Sequence, residues 1–355
     1  MDTWLVTGGA GFIGANFVLA QRRLGAAAVV NLDKLTYAGN LGNLKALEDD
    51  AHHLFVKGDI ADRVLVGGLL AKYSPAAVVN FAAESHVDRS IRDIQPFIRT
   101  NMVGTFQLLE EVLHYWQVLS KTAQNAFRFL HISTDEVFGS LDADAPPFSE
   151  GTPYAPNSPY AASKAAGDHL VRAYHQTYGL PTLITNCSNN YGPFQFPEKL
   201  IPLVILNALQ GKPIPLYGDG LHIRDWLYVK DHCEALALVL KHGRAGESYN
   251  IGGGCQPTNL EVAQAVCSLL DRLRPDSPYA PHASLITFIQ ERPGHDRRYA
   301  INFGKISREL GWRPKETFAS GLEKTVRWYL THRDWVSGVQ SGAYRQWLRL
   351  HYGAN

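Results

Sequence analysis

Short apolar runs rich in β-branched residues alternate with longer segments of helical spacing through the first half of the chain. The runs are Trp4–Thr7, Ala27–Asp33, Leu54–Gly58, Ala77–Ala82, Phe127–Ser133 and Leu183–Asn186. Between and around them lie helix-length stretches such as Ile13–Leu24, Arg99–Leu119 and Pro159–Tyr178. A sheet with one wet face has strands that alternate apolar and polar residues. These runs are apolar almost throughout, as strands buried on both faces are. Such strands separated by helices predict an α/β protein built on a doubly wound parallel sheet, the Rossmann plan.

The rhythm breaks near residue 190. Pro and Gly cluster from Tyr191-Gly192-Pro193 to Pro202, again in Lys212-Pro213-Ile214-Pro215, and in Tyr217-Gly218-Asp219-Gly220. Farther on, Glu291-Arg292-Pro293-Gly294-His295-Asp296-Arg297-Arg298 carries five charges in eight residues. The expected organisation is two interleaved parts. Residues 1–188 with about 224–250 form the dinucleotide-binding domain, and about 189–223 with 251–355 form a smaller α/β substrate-binding domain. The smaller part closes over the carboxyl edge of the sheet, where open α/β sheets hold ligands.

Composition narrows the class. A chain of 355 residues suggests about two domains, and a 45% hydrophobic fraction with 16 Tyr, 15 Phe and 7 Trp supplies a large core. Disorder, collagen-like repeats and disulfide-stapled miniproteins are excluded. Lys and Arg number 34 against 33 Asp and Glu, a net charge of +1. No global field is present to hold nucleic acid or an anionic membrane, although a small anionic ligand needs only local charge. Cys187, Cys233, Cys255 and Cys267 stand 46, 22 and 12 residues apart, without zinc-ligand spacing. They read as reduced thiols and no metal is expected. Neither a leader-like basic and apolar start nor a run near the roughly 18 apolar residues of a membrane span is found, so the expected location is cytoplasmic.

The first strand runs into Gly8-Gly9-Ala10-Gly11-Phe12-Ile13-Gly14 and then a helix. Gly8, Gly11 and Gly14 suit a tight turn, close approach of a pyrophosphate, and contact of helix with sheet. The helix N-terminus offers free amides to the same anion. Nineteen residues after Gly14, Asp33 ends the second strand. A carboxylate there accepts hydrogen bonds from ribose hydroxyls and repels a 2′-phosphate, which favours NAD over NADP. Lys34 beside it works against that preference. Asp59 ends the third strand, within reach of an adenine, although a turn carboxylate has the same position.

Tyr160 and Lys164 are four apart in a helix opened by Pro159, so phenol and ammonium share a face. The expected effect of the ammonium is to lower the Tyr160 pKa toward a value useful for taking a hydroxyl proton. Thr134 lies upstream, at the end of the fifth strand, followed by the acidic pair Asp135-Glu136. Adjacent carboxylates also suit a solvated turn, but this pair stands at the carboxyl edge of the sheet.

Taken together, Gly8-x-x-Gly11-x-x-Gly14, Asp33, Thr134 and Tyr160-x-x-x-Lys164 resemble the extended short-chain dehydrogenase/reductase family over nearly the whole chain. The Thr134-Asp135-Glu136 segment resembles the nucleotide-sugar 4,6-dehydratase branch, where sugar 4-epimerases usually lack the acidic pair. The resemblance implies NAD as cofactor and a nucleotide-sugar as substrate. It implies catalytic roles for Thr134, Tyr160 and Lys164 in oxidising a sugar hydroxyl, with Asp135 as acid and Glu136 as base in removing water. It implies cofactor contacts from Gly8, Gly11, Phe12, Ile13, Gly14, Asp33, Lys34, Thr36, Asp59, Ile60, Ala82, Ala83, Ser85, Thr100, Tyr160, Lys164 and Asn190. Segments at Phe81–Ser90, Asn189–Pro193, Pro197–Pro202 and Pro215–Tyr217 are similar to those of members acting on dTDP-glucose. Arg224-Asp225-Trp226, Asn259 and the Glu291–Arg298 block match as well. They imply substrate contacts from Ser85, His86, Thr134, Asn189, Lys199, Leu200, Pro215, Tyr217, Arg224, Asn259, Arg292 and His295.

Lys199 and Arg224 suit a diphosphate, and Tyr217 suits stacking on a base. A CDP- or UDP-glucose dehydratase, a 4-epimerase and a non-catalytic NAD sensor remain the competing readings. The family further implies a homodimer through a four-helix bundle built from Arg99–Leu119 and Pro159–Tyr178. The apolar stripe Val103, Phe106, Leu109, Leu113 and Trp116 suits either core or interface.

Overall fold

The computed structural model describes residues 1–341, and in it each of the six apolar runs is a strand. These are β1 (Thr3–Thr7), β2 (Ala28–Asp33), β3 (His53–Lys57), β4 (Ala77–Asn80), β5 (Arg128–Thr134) and β6 (Thr182–Cys187). Five more follow: β7 (Asn189–Tyr191), β8 (Ile214–Tyr217), β9 (Trp226–Tyr228), β10 (Ser248–Ile251) and β11 (Ile286–Ile289). The main sheet has seven strands in the order β10-β6-β5-β4-β1-β2-β3, and every pairing is parallel. The order reverses between β1 and β4, which opens a crevice beyond their carboxyl ends. Residues 342–355 of the expected second domain lie outside the described residues.

Successive strand residues feed opposite faces. Val6, Val29, Val79 and Leu130 join one core with Phe17, Leu236 and Tyr249. Their neighbours Leu5, Val30, Val78 and Phe129 join the other with Leu108, Val112 and Val171. Burial on both sides is why these strands are apolar throughout. β10 escaped that signal because Ser248-Tyr249-Asn250-Ile251 includes a fully buried Asn250. Its side-chain nitrogen donates to the Phe148 carbonyl at 3.1 Å, which partners the buried donor, while Oδ1 has no partner.

A separate core gathers Ile201, Val204, Ile214, Leu216, Val262, Val266, Leu322 and Val326 around the two-stranded β8–β11 sheet. β9 lies between the bodies. Trp226 and Tyr228 pack into this core, while Leu227 and Val229 pack into the first.

Two helices aim the site. The helix Pro159–Tyr178 starts where expected, with Ser158 Oγ accepting from the Ala161 amide at 3.1 Å and Pro159 in its first turn. The segment expected as one helix from Arg99 to Leu119 is instead a π-helical stretch, Ile98–Gly104, continued by the α-helix Thr105–Gln117. The wide turn brings Asn101 to the strand edge. Its amide brackets the Glu84 backbone at 2.9 and 3.0 Å and donates to Ser163 Oγ at 2.9 Å. π-helical turns are frequent at functional sites.

Candidate active site

At the end of β1, Gly8 turns with φ +70°. A Cβ there would stand 2.6 Å from the Ala82 amide nitrogen, and one on Gly14 would stand 2.3 Å from the Gly8 carbonyl oxygen. Glycine is therefore required for the loop to pass this close to β4 and to the following helix. The loop delivers Gly11, Phe12, Ile13 and Gly14 to one cleft, whose rim carries Asp33, Lys34, Thr36, Asp59 and Ile60 from the ends of β2 and β3. Ala82, Ala83, Ser85, Thr100, Tyr160, Lys164 and Asn190 line it too, so the structure brings together all seventeen sequence-derived cofactor residues.

Asp33 accepts from the Ala10 and Leu35 amides at 2.9 and 2.8 Å, one on each carboxylate oxygen. Burial raises its pKa, and those two hydrogen bonds counter it. Lys34 pairs with Asp59 at 2.6 Å, so the cation that weighed against NAD is neutralised by its neighbour. The glycine cradle, the helix amides and the buried acceptor at the end of β2 form a donor and acceptor set that suits NAD.

Thr134, Asp135, Glu136, Tyr160 and Lys164 line the same cleft. Thr134 closes β5, its Oγ1 accepting from the Glu136 amide at 3.3 Å and donating to Asp135 at 3.4 Å. Lys164 is buried and donates to the Ile132 carbonyl at 2.8 Å.

The phenol departs from expectation. Burial pushes the Tyr160 pKa well above its ordinary value, with the charge of Glu136 next, and a hydrogen bond from Thr134 only partly opposes them. Burial is the chief cause, and the negative charges of Glu136 and Asp135 add to it.

The acidic pair is asymmetric. Asp135 is buried, with Oδ2 lacking a hydrogen-bond partner. Burial first, then Glu136 and Asp225, push it well above the usual carboxylate range, with Arg224 pulling the other way. Half-buried Glu136 is also raised by burial, but Lys199, Arg224 and Arg292 all act to hold its charge. Like charges held together separate two pKa values in this fashion.

Of the substrate-side residues, Ser85, Thr134, Asn189 and Lys199 line the cleft. His86, Leu200, Pro215, Tyr217, Arg224, Asn259, Arg292 and His295 do not, and most of them form a cluster beside it. Tyr217 and Arg292 both bind Asp88, at 3.0 and 2.9 Å, and Tyr217 meets the His295 ring edge-on at 5.7 Å. His295 stacks on His222 at 3.7 Å, and both face Glu291. The Asn259 amide donates to the His222 carbonyl. Buried Arg224 donates to the carbonyls of Ile223 and Asp296, at 2.7 and 2.8 Å. It rides over the Tyr299 ring at 4.2 Å. His86 pairs with Glu198 at 3.5 Å, and Leu200 opens a helix that packs on the second core.

Sequence reasoning passed over Tyr37, Glu84, Gln195, Phe196 and Glu198, which also line the cleft. Three of them stand next to named motif residues, and that adjacency was the available signal.

The family model described as GDP-mannose 4,6 dehydratase matches residues 5–325. A dTDP-glucose 4,6-dehydratase of Xanthomonas campestris pv. campestris is 61% identical over 345 residues, covering 97% of this chain and 98% of the relative. The chain belongs to the dTDP-glucose 4,6-dehydratase family. Solved dTDP-glucose 4,6-dehydratases share its fold. The one from Bacillus anthracis, in complex with NAD, has a TM-score of 0.85 at 45% identity, covering 96% of this chain and 100% of that one. The one from Streptomyces venezuelae, with NAD and TYD bound, has a TM-score of 0.84 at 48% identity, covering 94% and 98%. Among the described residues, no helix is long and apolar enough to cross a membrane.

Proposed function

We propose that this chain is an NAD-dependent hydro-lyase that converts dTDP-glucose to dTDP-4-keto-6-deoxyglucose. What carries this reading is the Asp135–Glu136 pair directly after Thr134. One carboxyl is buried, with its pKa pushed well above the usual carboxylate range; three cations act on its neighbour to favour its charge. A sugar oxidation alone, as in a 4-epimerase, has no use for that pair.

Bound NAD supplies the hydride acceptor, the hydride donor and a cationic ring. The residues of the chain handle the protons. Tyr160, hydrogen-bonded by Thr134, takes the proton of the C4 hydroxyl, and Lys164 provides the positive charge behind it. The resulting 4-ketone acidifies the C5 hydrogen. Glu136 removes that proton as Asp135 protonates the departing C6 hydroxyl, and water leaves. Hydride returned to C6 with a proton at C5 gives the 6-deoxy sugar, so no net oxidant is consumed.

Lys199, Arg224 and Arg292 are the cations that would meet the diphosphate, and Tyr217, beside Arg292, is the ring that would stack on the base. Mass spectrometry of dTDP-glucose incubated with the enzyme and trace NAD, without external reductant, tests this. Loss of one water is expected, and an unchanged mass overturns it.

The same reading makes the enzyme a cytoplasmic homodimer. Its four cysteines are all unpaired. On the expected interface helices, Leu109 and Leu113 turn inward, whereas Val103 and Phe106 are 42% and 40% exposed, and Ile98 and Tyr178 are exposed beside them. This outward apolar face suits a four-helix bundle with a second copy. Light scattering that returns a monomer mass at all concentrations would overturn the dimer.

A further inference from the structure

The face of the Pro159–Tyr178 helix that carries Tyr160 and Lys164 continues to Asp168, one turn farther on. Asp168 and Lys164 are both almost wholly buried, at 2% and 4% exposure. An isolated carboxylate at that depth is costly unless donors surround it. Three converge on one oxygen: Ser133 Oγ at 2.7 Å, Tyr154 Oη at 3.0 Å and Asn186 Nδ2 at 3.4 Å.

The other oxygen faces His131 Nε2 at 3.4 Å. His131 is itself held through Nδ1 by the Asn80 amide at 3.1 Å, and Asn80 accepts from Thr7 Oγ1 at 2.6 Å. With Asn80 donating to Nδ1, the imidazole proton is on Nε2, near that oxygen but without a hydrogen bond to it. The chain of contacts thus runs across β1, β4 and β5 to the helix. Ser133, Tyr154 and Asn186 are the donors to Asp168, all on one oxygen.

Lys164 sits in the opposite predicament. Its hydrogen bond goes to the neutral Ile132 carbonyl. Burial lowers its pKa, and Asp168 is the foremost group that opposes this.

We infer that Asp168 is a positioning residue for proton transfer: its buried carboxylate, held by Ser133, Tyr154 and Asn186 one helical turn from Lys164, sets a negative charge beside that side chain inside the site. Asp168 touches neither substrate nor the reacting atoms. It acts through Lys164 and thereby on Tyr160. This role rests on the proposed dehydratase reaction, so wild-type activity on dTDP-glucose is established before any variant is compared.

The test is Asp168→Asn, which keeps shape and removes charge. Two quantities are read against pH in the full-length, NAD-loaded enzyme: kcat on dTDP-glucose, and the rate of trace acetylation of Lys164 followed by mass spectrometry. The variant is expected to lose at least tenfold in kcat at pH 8, with KM and NAD content within twofold of wild type. Its alkaline limb of kcat and the titration of Lys164 should both move down by about one pH unit or more. Ser133→Ala removes one clamp and retains the carboxylate; it is expected to move both in the same direction by less, and it serves if Asp168→Asn does not fold. Superimposable pH profiles and Lys164 titrations in the folded variants would overturn the role. So would a fall in kcat with no displacement of either, since that marks a purely structural residue. A wild type that leaves dTDP-glucose unchanged defeats the dehydratase reading instead, and the Lys164 labelling still reports on Asp168.

Discussion

At the scale of single residues, the acidic pair separates two protons that a rate alone would merge. Glu136→Gln is expected to lower turnover by at least about 100-fold, and to abolish exchange of the C5 hydrogen with deuterated water. Asp135→Asn should lose turnover similarly yet retain that exchange, because the base is intact and only the acid for the C6 hydroxyl is gone. NMR of the recovered sugar distinguishes them; loss of exchange in Asp135→Asn and its survival in Glu136→Gln would reverse the assignment. Much of the cleft was legible in the sequence, because a βαβ fold puts strand-end residues such as Gly8, Asp33 and Thr134 at one edge. What was not legible is who partners whom. Lys34 beside Asp33 argued against NAD until Asp59, 25 residues on, proved to hold it. The spacing of Tyr160 and Lys164 put phenol and ammonium on one face, but not the burial that raises the phenol nor the Ile132 carbonyl that takes the Lys164 hydrogen bond.

At the scale of elements, hydrophobic period found the six strands that carry two buried faces and missed β10, whose central asparagine is paid back by a hydrogen bond rather than by burial of carbon. It likewise read Arg99–Leu119 as one regular helix, since a π-helical turn alters backbone pitch without altering which side chains are apolar. The stripe on that segment divides between inside and outside, which periodicity does not resolve. Phe106→Glu puts a charge on the outward part. Because the ring is already half in water, the monomer fold should change by no more than about 0.5 kcal/mol. Size-exclusion chromatography with light scattering should show half the wild-type mass. A variant that retains the wild-type dimer would show that the contact lies elsewhere.

At the scale of the whole molecule, burial of a histidine ties stability to pH. His232 has no exposed surface; it donates through Nδ1 to Asn190 Oδ1 at 2.9 Å and has no partner for Nε2. Burial pushes its pKa down to about 3. The unfolded chain binds a proton near the ordinary value of about 6.5, so between these limits the unfolded state holds more protons. Stability is therefore fully present above about pH 6.5 and is lost as pH falls toward 3. From pH 7 to 5 this single residue should account for about 2 kcal/mol. Burial lowers His131, His222 and His295 in the same direction and adds to the slope. Urea titrations of wild type and His232→Asn at both pH values should show a shallower pH dependence in the variant; equal slopes would refute the assignment. The strand β9 bears on how such proteins diversify. Its residues alternate between two cores, Trp226 and Tyr228 one way and Leu227, followed by Val229 of the next helix, the other. The second body is therefore not a cassette on a linker. A chimaera that exchanges it between relatives has to carry matching residues on both sides of one three-residue strand, so new sugar specificity is more readily reached by substitution within the cleft than by recombination of parts.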